Sequence, residues 1–380
     1  MSYALLTLWH ERQRYVSGVF AVTFSAMLIA LQCGLLLGLF KITSIPIDHA
    51  TPELRDRVIW VGSTGAPSVD LGKPIPVAFL SRLAGREGVS APELYIANFG
   101  NFTKPVGGTE LCFLLGTRLD DDALAPADVL TPELRAALSE PFTIVVDQSD
   151  VARLKLDSPE GKPKINGKEV RVVGVVTGLR SLAAPWVFCS THTARQLMGP
   201  LLPPDHTTYL LARADTPERA REVVAELRAA HSEDMTAYVA QDFSYSSREY
   251  WLLRTKAGVA IGYAALLGLV VGAVITYQTL KTATEASARE FAILLALGIP
   301  RWRIQLMVLQ QSFWVAVIGM GLAYPICVAL RGVARMGGAD VDLRWEVLAG
   351  TAAVTTLMCA VAGILALRGV RKIEPMSLLR

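Results

Sequence analysis

The chain has 380 residues, 52% of them hydrophobic, and 37 Lys and Arg against 34 Asp and Glu for a formal net charge of +3. That is too apolar for the one to about three soluble domains that such a length ordinarily holds. The near balance of charge, with no basic tract carrying interleaved aromatics, excludes nucleic acid as a partner.

The apolar excess lies in four uncharged runs, residues 16–40, 257–280, 304–330 and 347–367. Each reaches the roughly 20 residues that a helix needs to cross a hydrocarbon core of about 30 Å, so four transmembrane helices are expected. A cytoplasmic amphipathic helix is expected over residues 1–15 before the first of them, carried by "ALLTLWHERQRY" at residues 4–15. The first run is longer than the apolar region of a cleaved signal peptide, about 7 to 15 residues, and no small-x-small site follows it. It is read as an uncleaved anchor.

Residues 41–255 make a segment of about 215 residues with the Pro and Gly turns of a soluble domain, long enough for its own core. Strand-like runs recur at "RVIWVG" from Arg57, "ELCFLLG" from Glu110, "FTIVVD" from Phe142, "VRVVGVV" from Val170 and "TYLLARA" from Thr208. The clearest helix is "DTPERAREVVAELRAAH", in which Thr216 caps, Pro217 suits the first turn, and Ala220, Val223, Val224 and Leu227 mark one apolar face. Alternation of this kind predicts an α+β domain. The fold class expected is membrane α-helical, with a large α+β domain inserted between helices 1 and 2.

Catalytic or metal-binding chemistry is hard to find in that domain. His192, His206 and His231 share no ligand spacing, Asp147 and Asp150 read as a strand end followed by a capped turn, and Asn166 to Lys168 read as a hairpin turn. Gly72-Lys73 is no phosphate-binding loop: Pro67 stands where its first glycine is needed and Pro74 where Ser or Thr must follow. The chain is therefore read as no enzyme, with no cofactor of its own. Of five cysteines, Cys112 and Cys189 fall in the domain and form a candidate disulfide should it lie outside the cytoplasm.

Charge sets the orientation. Arg12 and Arg14, then Lys281, Arg289, Arg301 and Arg303, then Arg368, Arg371, Lys372 and Arg380 fall on one side. The short loop 331–346 opposes them with Arg331, Arg335 and Arg344 diluted by Asp340 and Asp342. By the positive-inside rule both termini, the segment 281–303 and the tail 368–380 are cytoplasmic, and residues 41–255 are extracytoplasmic. In span two Gly258 with Gly262, and Gly268 with Gly272, give two GxxxG spacings suited to close helix packing.

The segment 281–303 raises the functional question. Residues 282–297 favour helix, Glu285 and Arg289 stand four apart, and Gly298 followed by Pro300 gives a stop and restart. Phe291, Leu294, Leu295 and Ile299 offer apolar surface. Such a segment either merely turns the chain at the interface or lets a cytoplasmic partner move the two spans.

"REFAILLALGIPRWRI" resembles the coupling segment of FtsX-like, MacB-type ABC transporter permeases, with Glu290, Ala292, Leu294, Ala296 and Gly298 at the positions of an E-x-A-x-L-x-A-x-G pattern beside Arg289 and Arg301. The closing "VRKIEPMSLLR" resembles the same family's tail through Arg371, Lys372, Ile373, Glu374, Pro375, Leu379 and Arg380. Without a fused ATPase, and with "FSYSSREYWLLRTKAG" leading into span two, the chain is most similar to the DevC-like branch. The resemblance implies a multi-pass protein of the bacterial inner membrane, a homodimer joined to a separate P-loop ABC ATPase that binds the ATP. A periplasmic adaptor (membrane-fusion) protein and membrane lipids are further implied partners. The implied work is mechanotransmission that exports or extracts a hydrophobic, lipid-like cargo; the alternative is an FtsX-like regulator of an extracytoplasmic cell-wall hydrolase.

Overall fold

A computed structural model of the chain describes residues 12–49, 54–125, 129–157, 161–179, 184–287, 293, 297–336, 341 and 343–370. It forms two compact units: residues 1–38 with 256–380, and residues 39–255. The first described element is α1 (Arg12–Thr43), and α2 (Ile45–Asp48) follows in the second unit. There follow β1 (Val58–Ser63), β2 (Ile75–Pro76), β3 (Val89–Thr103), β4 (Thr109–Thr117), α3 (Pro132–Leu138), β5 (Thr143–Asp147) and α4 (Gln148–Val151). Next come β6 (Lys164–Ile165), β7 (Lys168–Glu169), β8 (Arg171–Val176), β9 (Trp186–Ser190), α5 (Thr191–Met198), β10 (His206–Thr207) and β11 (Tyr209–Ala214). The unit closes with α6 (Pro217–His231), β12 (Met235–Val239) and α7 (Ala240–Leu253), and among the described residues three long helices follow: α8 (Lys256–Ala286), α9 (Arg301–Met336) and α10 (Trp345–Val370).

A mixed sheet organises the α+β unit, in the order β12-β1-β11-β3-β4-β9-β5-β8, with the β6–β7 hairpin attached to β3. Strand alternation gives each face its own core. On one face Ile59, Val61, Leu210 and Ala212 pack against Ala220, Val223, Val224 and Leu227 of α6, while Ile96, Leu114, Ile144 and Val187 pack against Ala194, Leu197 and Met198 of α5. The opposite face is aromatic: Trp60 lies 5.2 Å from Tyr95 and 5.6 Å from Tyr209, both edge-on, under Phe243 of α7 and Ile45 and Ile47 of α2. These arrangements match the quadrupole preference of aromatic rings and fix the sheet beneath α7.

Local sequence explains most of the elements. Thr216 accepts from the Arg219 amide at 3.2 Å and caps α6, Asp147 accepts from the Ser149 amide at 2.8 Å and caps α4, and Asn166 and Gly167 adopt the positive φ that a tight hairpin demands. One central strand has no apolar run to announce it. β3 carries Pro92, Asn98, Gly100 and Asn101, yet pairs with both β11 and β4. Its register against β11 shifts between Leu211 and Arg213, and Ala91 has φ of 49°. This bulge accommodates Pro92, which has no N–H to give to the ladder.

The candidate disulfide is corrected. Cys112 and Cys189 are free and buried. They stand on the neighbouring parallel strands β4 and β9, but Cys189 is level with Gly116, and Phe113 with Trp186. The two cysteines are thus offset by about 13 Å along the strands, beyond the Cα separation of roughly 7 Å that a bridge tolerates. Burial pushes the Cys112 thiol up to about 12 and Cys189 higher as well, so both are inert packing groups.

Among the described residues, four helices are long and apolar enough to cross a membrane: Tyr15–Leu37, Gly258–Ala286, Trp302–Ala334 and Trp345–Ala366. Tyr15, Val22, Leu280, Val315, Ala316 and Met358 form their common core. Small residues set the spacing of this unit. Ser25 Oγ donates to the Gly268 carbonyl at 3.1 Å, a methyl group at Gly268 would come within 2.9 Å of Leu28, and one at Gly272 would strike the Ser25 hydroxyl. Around Gly262 nothing lies within 4 Å of such a group. The Gly268 and Gly272 spacing therefore serves packing within the chain.

Candidate functional site

The joint between α8 and α9 combines a helix extension with a turn. α8 continues past the expected end of the apolar run to Ala286, with Thr284 and Ser287 buried and Thr284 Oγ1 returning its proton to the Leu280 carbonyl at 2.6 Å. Lys281 Nζ lies 3.9 Å from Glu285 Oε1, an i, i+4 pair one turn earlier than the expected pairing of Glu285 with Arg289. Of the candidate coupling residues, Arg289, Glu290, Ala292, Leu294 and Ala296 lie outside the described residues, as do Arg371, Lys372 and Pro375 of the tail motif.

Gly298 and Arg301 are placed. The Leu297 amide donates to the Ile293 carbonyl at 3.0 Å, and Gly298 follows at φ of 86°, the left-handed position that ends helices. The Arg303 amide donates to the Pro300 carbonyl at 3.0 Å, and Arg301 opens α9. Nothing lies within 4 Å of a Cβ built on Gly298, so glycine is required there by backbone conformation and not by space. The joint presents Leu297 at 74% exposure and Trp302 at 58%, with the Arg303 guanidinium 5.5 Å from the Trp302 ring. Apolar side chains beside cationic ones suit a surface that is covered by a partner or by lipid headgroups.

The α+β unit holds further groups that sequence reading passed over. Glu93 of β3 is 4% exposed. Its Oε1 accepts from the Leu124 amide at 3.0 Å, and Oε2 faces Arg118 at 3.6 Å. Burial pushes its acid up to about 7, against the pull of the Leu124 amide and Arg118. No motif could have shown this, because the burial comes from the 118–125 loop folding over β3. Glu110 behaves oppositely: burial raises its acid, but Lys104 at 2.8 Å and Arg153 outweigh that and hold it below the ordinary range. His206 pairs with Asp205 at 2.8 Å and His192 meets Gln196 at 3.0 Å, both at the surface.

Residues 262–375 match the profile of the FtsX-like permease C-terminal family. This stretch takes in most of α8, all of α9 and α10, and the joint just described, and this part of the chain is similar to the C-terminal region of FtsX-like permeases. Together with the four apolar helices, the match fits a multi-pass membrane protein. No curated protein matches it in sequence. Among solved structures, the periplasmic region of MacB from Actinobacillus actinomycetemcomitans is similar at 11% identity and a TM-score of 0.33, over 52% of this chain and 96% of that one. The extracellular domain of the noncanonic ABC-type transporter YknZ from Gram-positive bacteria is similar at 10% identity and a TM-score of 0.32, over 48% of this chain and 99% of that one.

Proposed function

We propose that this chain is the membrane subunit of an ABC transporter, working with a separate P-loop ATPase that binds and hydrolyses ATP. The observation that carries the reading is the joint of α8 and α9. It lies within the stretch matching the permease family, and it turns Leu297 and Trp302 outward beside Arg303. An ATPase docked there would push on two membrane helices at once, and α8 would carry the displacement to the α+β unit through the chain itself. In this reading both termini are cytoplasmic, the α+β unit is extracytoplasmic, the chain acts as a homodimer in the bacterial inner membrane, and a periplasmic adaptor receives the cargo. The cargo is hydrophobic or lipid-like, since the work is done by movement of the outer domain and the spans hold no ionisable relay.

Purification of the tagged chain from its native host in mild detergent, with an assay for ATP hydrolysis, tests the assignment. A stoichiometric P-loop ATPase is expected. Glu290→Lys and Gly298→Leu are then expected to keep insertion and ATPase binding while uncoupling hydrolysis from transport. A chain that emerges alone from several detergents would remove the reading.

A further inference from the structure

Two stretches of chain lead between the membrane helices and the sheet, and the α+β unit ties them to one another. α1 runs unbroken to Thr43, and Ser44 and α2 follow at once; α7 ends at Leu253, just before α8 opens at Lys256. Asp48 of α2 accepts from Arg248 Nη2 of α7 at 2.6 Å, from Ser244 Oγ of α7 at 2.7 Å, and from Ser44 Oγ at 2.5 Å. Arg248 Nε also donates to Ser44 Oγ at 3.0 Å. On its other flank α7 is fastened to the loop before β2, where Ser246 Oγ donates to the Pro67 carbonyl at 3.0 Å and Trp251 Nε1 to Asp70 Oδ1 at 3.3 Å.

The chemistry of this cluster separates two roles. Ile45 and Ile47 of α2 already share a core with Ala240 and Phe243 of α7, and that burial holds the pieces together without regard to direction. An ion pair whose members are 36% and 18% exposed adds little to stability. What it adds is register: a guanidinium with two N–H groups directed at Asp48 and Ser44, and a carboxylate held by three donors, resist sliding of one helix past the other. Neither partner is needed to cap α7, which opens at Ala240, eight residues before Arg248.

We propose that the Asp48–Arg248 clamp makes the chain leaving the first membrane helix and the chain entering the second act as one strut. A displacement arriving through either helix then reaches the sheet as a single movement. Asp48 and Arg248 are positioning residues in this scheme, which rests on the reading of the chain as an ATPase-driven permease.

Hydrogen–deuterium exchange on the full complex, with and without a non-hydrolysable ATP analogue, tests it. In wild type, nucleotide is expected to change exchange in residues 44–49 and 240–253 by the same factor. In Arg248→Ala, and in the milder Ser244→Ala, the two factors are expected to part by up to about fivefold, as an exposed ion pair permits, with the melting temperature little changed. Asp48→Cys with Ser244→Cys should show the same mismatch until a short thiol-reactive bridge joins the two, which should restore a common factor. Matched factors in Arg248→Ala and in the unbridged cysteine pair would overturn the clamp. So would a co-purified, active ATPase whose nucleotide changes neither segment, an outcome that leaves the permease reading standing. If no ATPase accompanies the chain, the permease reading falls first and the strut with it.

Discussion

At the scale of single residues, Glu93 and Gly298 carry sharp expectations. The Glu93 acid is raised to about 7 in the folded chain, against about 4.3 in the unfolded one. Between these values the folded state holds a proton that the unfolded state has lost, so stability falls as pH rises through that window. The whole effect is on the order of 3 kcal/mol. Glu93→Gln keeps an acceptor for the Leu124 amide and removes the charge, and is expected to flatten the fall and make the chain more stable than wild type at pH 8. Urea unfolding followed by tryptophan fluorescence at pH 5 and pH 8 checks this; an unchanged pH slope would refute it. At Gly298, with φ of 86° and open space around the Cβ position, the cost of Ala should be purely conformational, about 1 to 2 kcal/mol. Asn, which tolerates the left-handed region, should cost less than Ala. Amide exchange across residues 297–303 would show the order, and equal effects of Ala and Asn would remove the backbone explanation.

At the scale of elements, the two GxxxG spacings of α8 part company. Gly268 and Gly272 face Leu28 and Ser25 of α1 at distances that leave no room for a side chain. Gly268→Leu or Gly272→Leu is expected to cost about 1 to 3 kcal/mol through overpacking, and Gly262→Leu close to nothing within a single chain. Thermal unfolding of the three variants in one detergent measures the contrast. For α6, Thr216→Ala should cost about 1 kcal/mol by removing the cap. That helix was fully legible beforehand: its cap, its Pro217 and its four buried apolar positions all lie within one short stretch. β3 was not, since its polar residues and Pro92 are tolerated only because a bulge and two flanking strands surround it.

For the whole molecule, the ATPase partner is the decisive expectation, because it separates a coupling joint from a surface turn. The four apolar runs, the inserted α+β unit and the family signature around Gly298 were determined by the sequence alone, since membrane thickness, the 3.6-residue period and turn chemistry all act over neighbouring residues. Tertiary structure decided what depends on residues far apart in the chain. It set the strand register that keeps Cys112 from Cys189, the loop that buries Glu93, the choice of one GxxxG spacing over the other, and the meeting of Asp48 with Arg248 across 200 residues. Register and burial follow from which surfaces pack together, and no local pattern encodes that pairing.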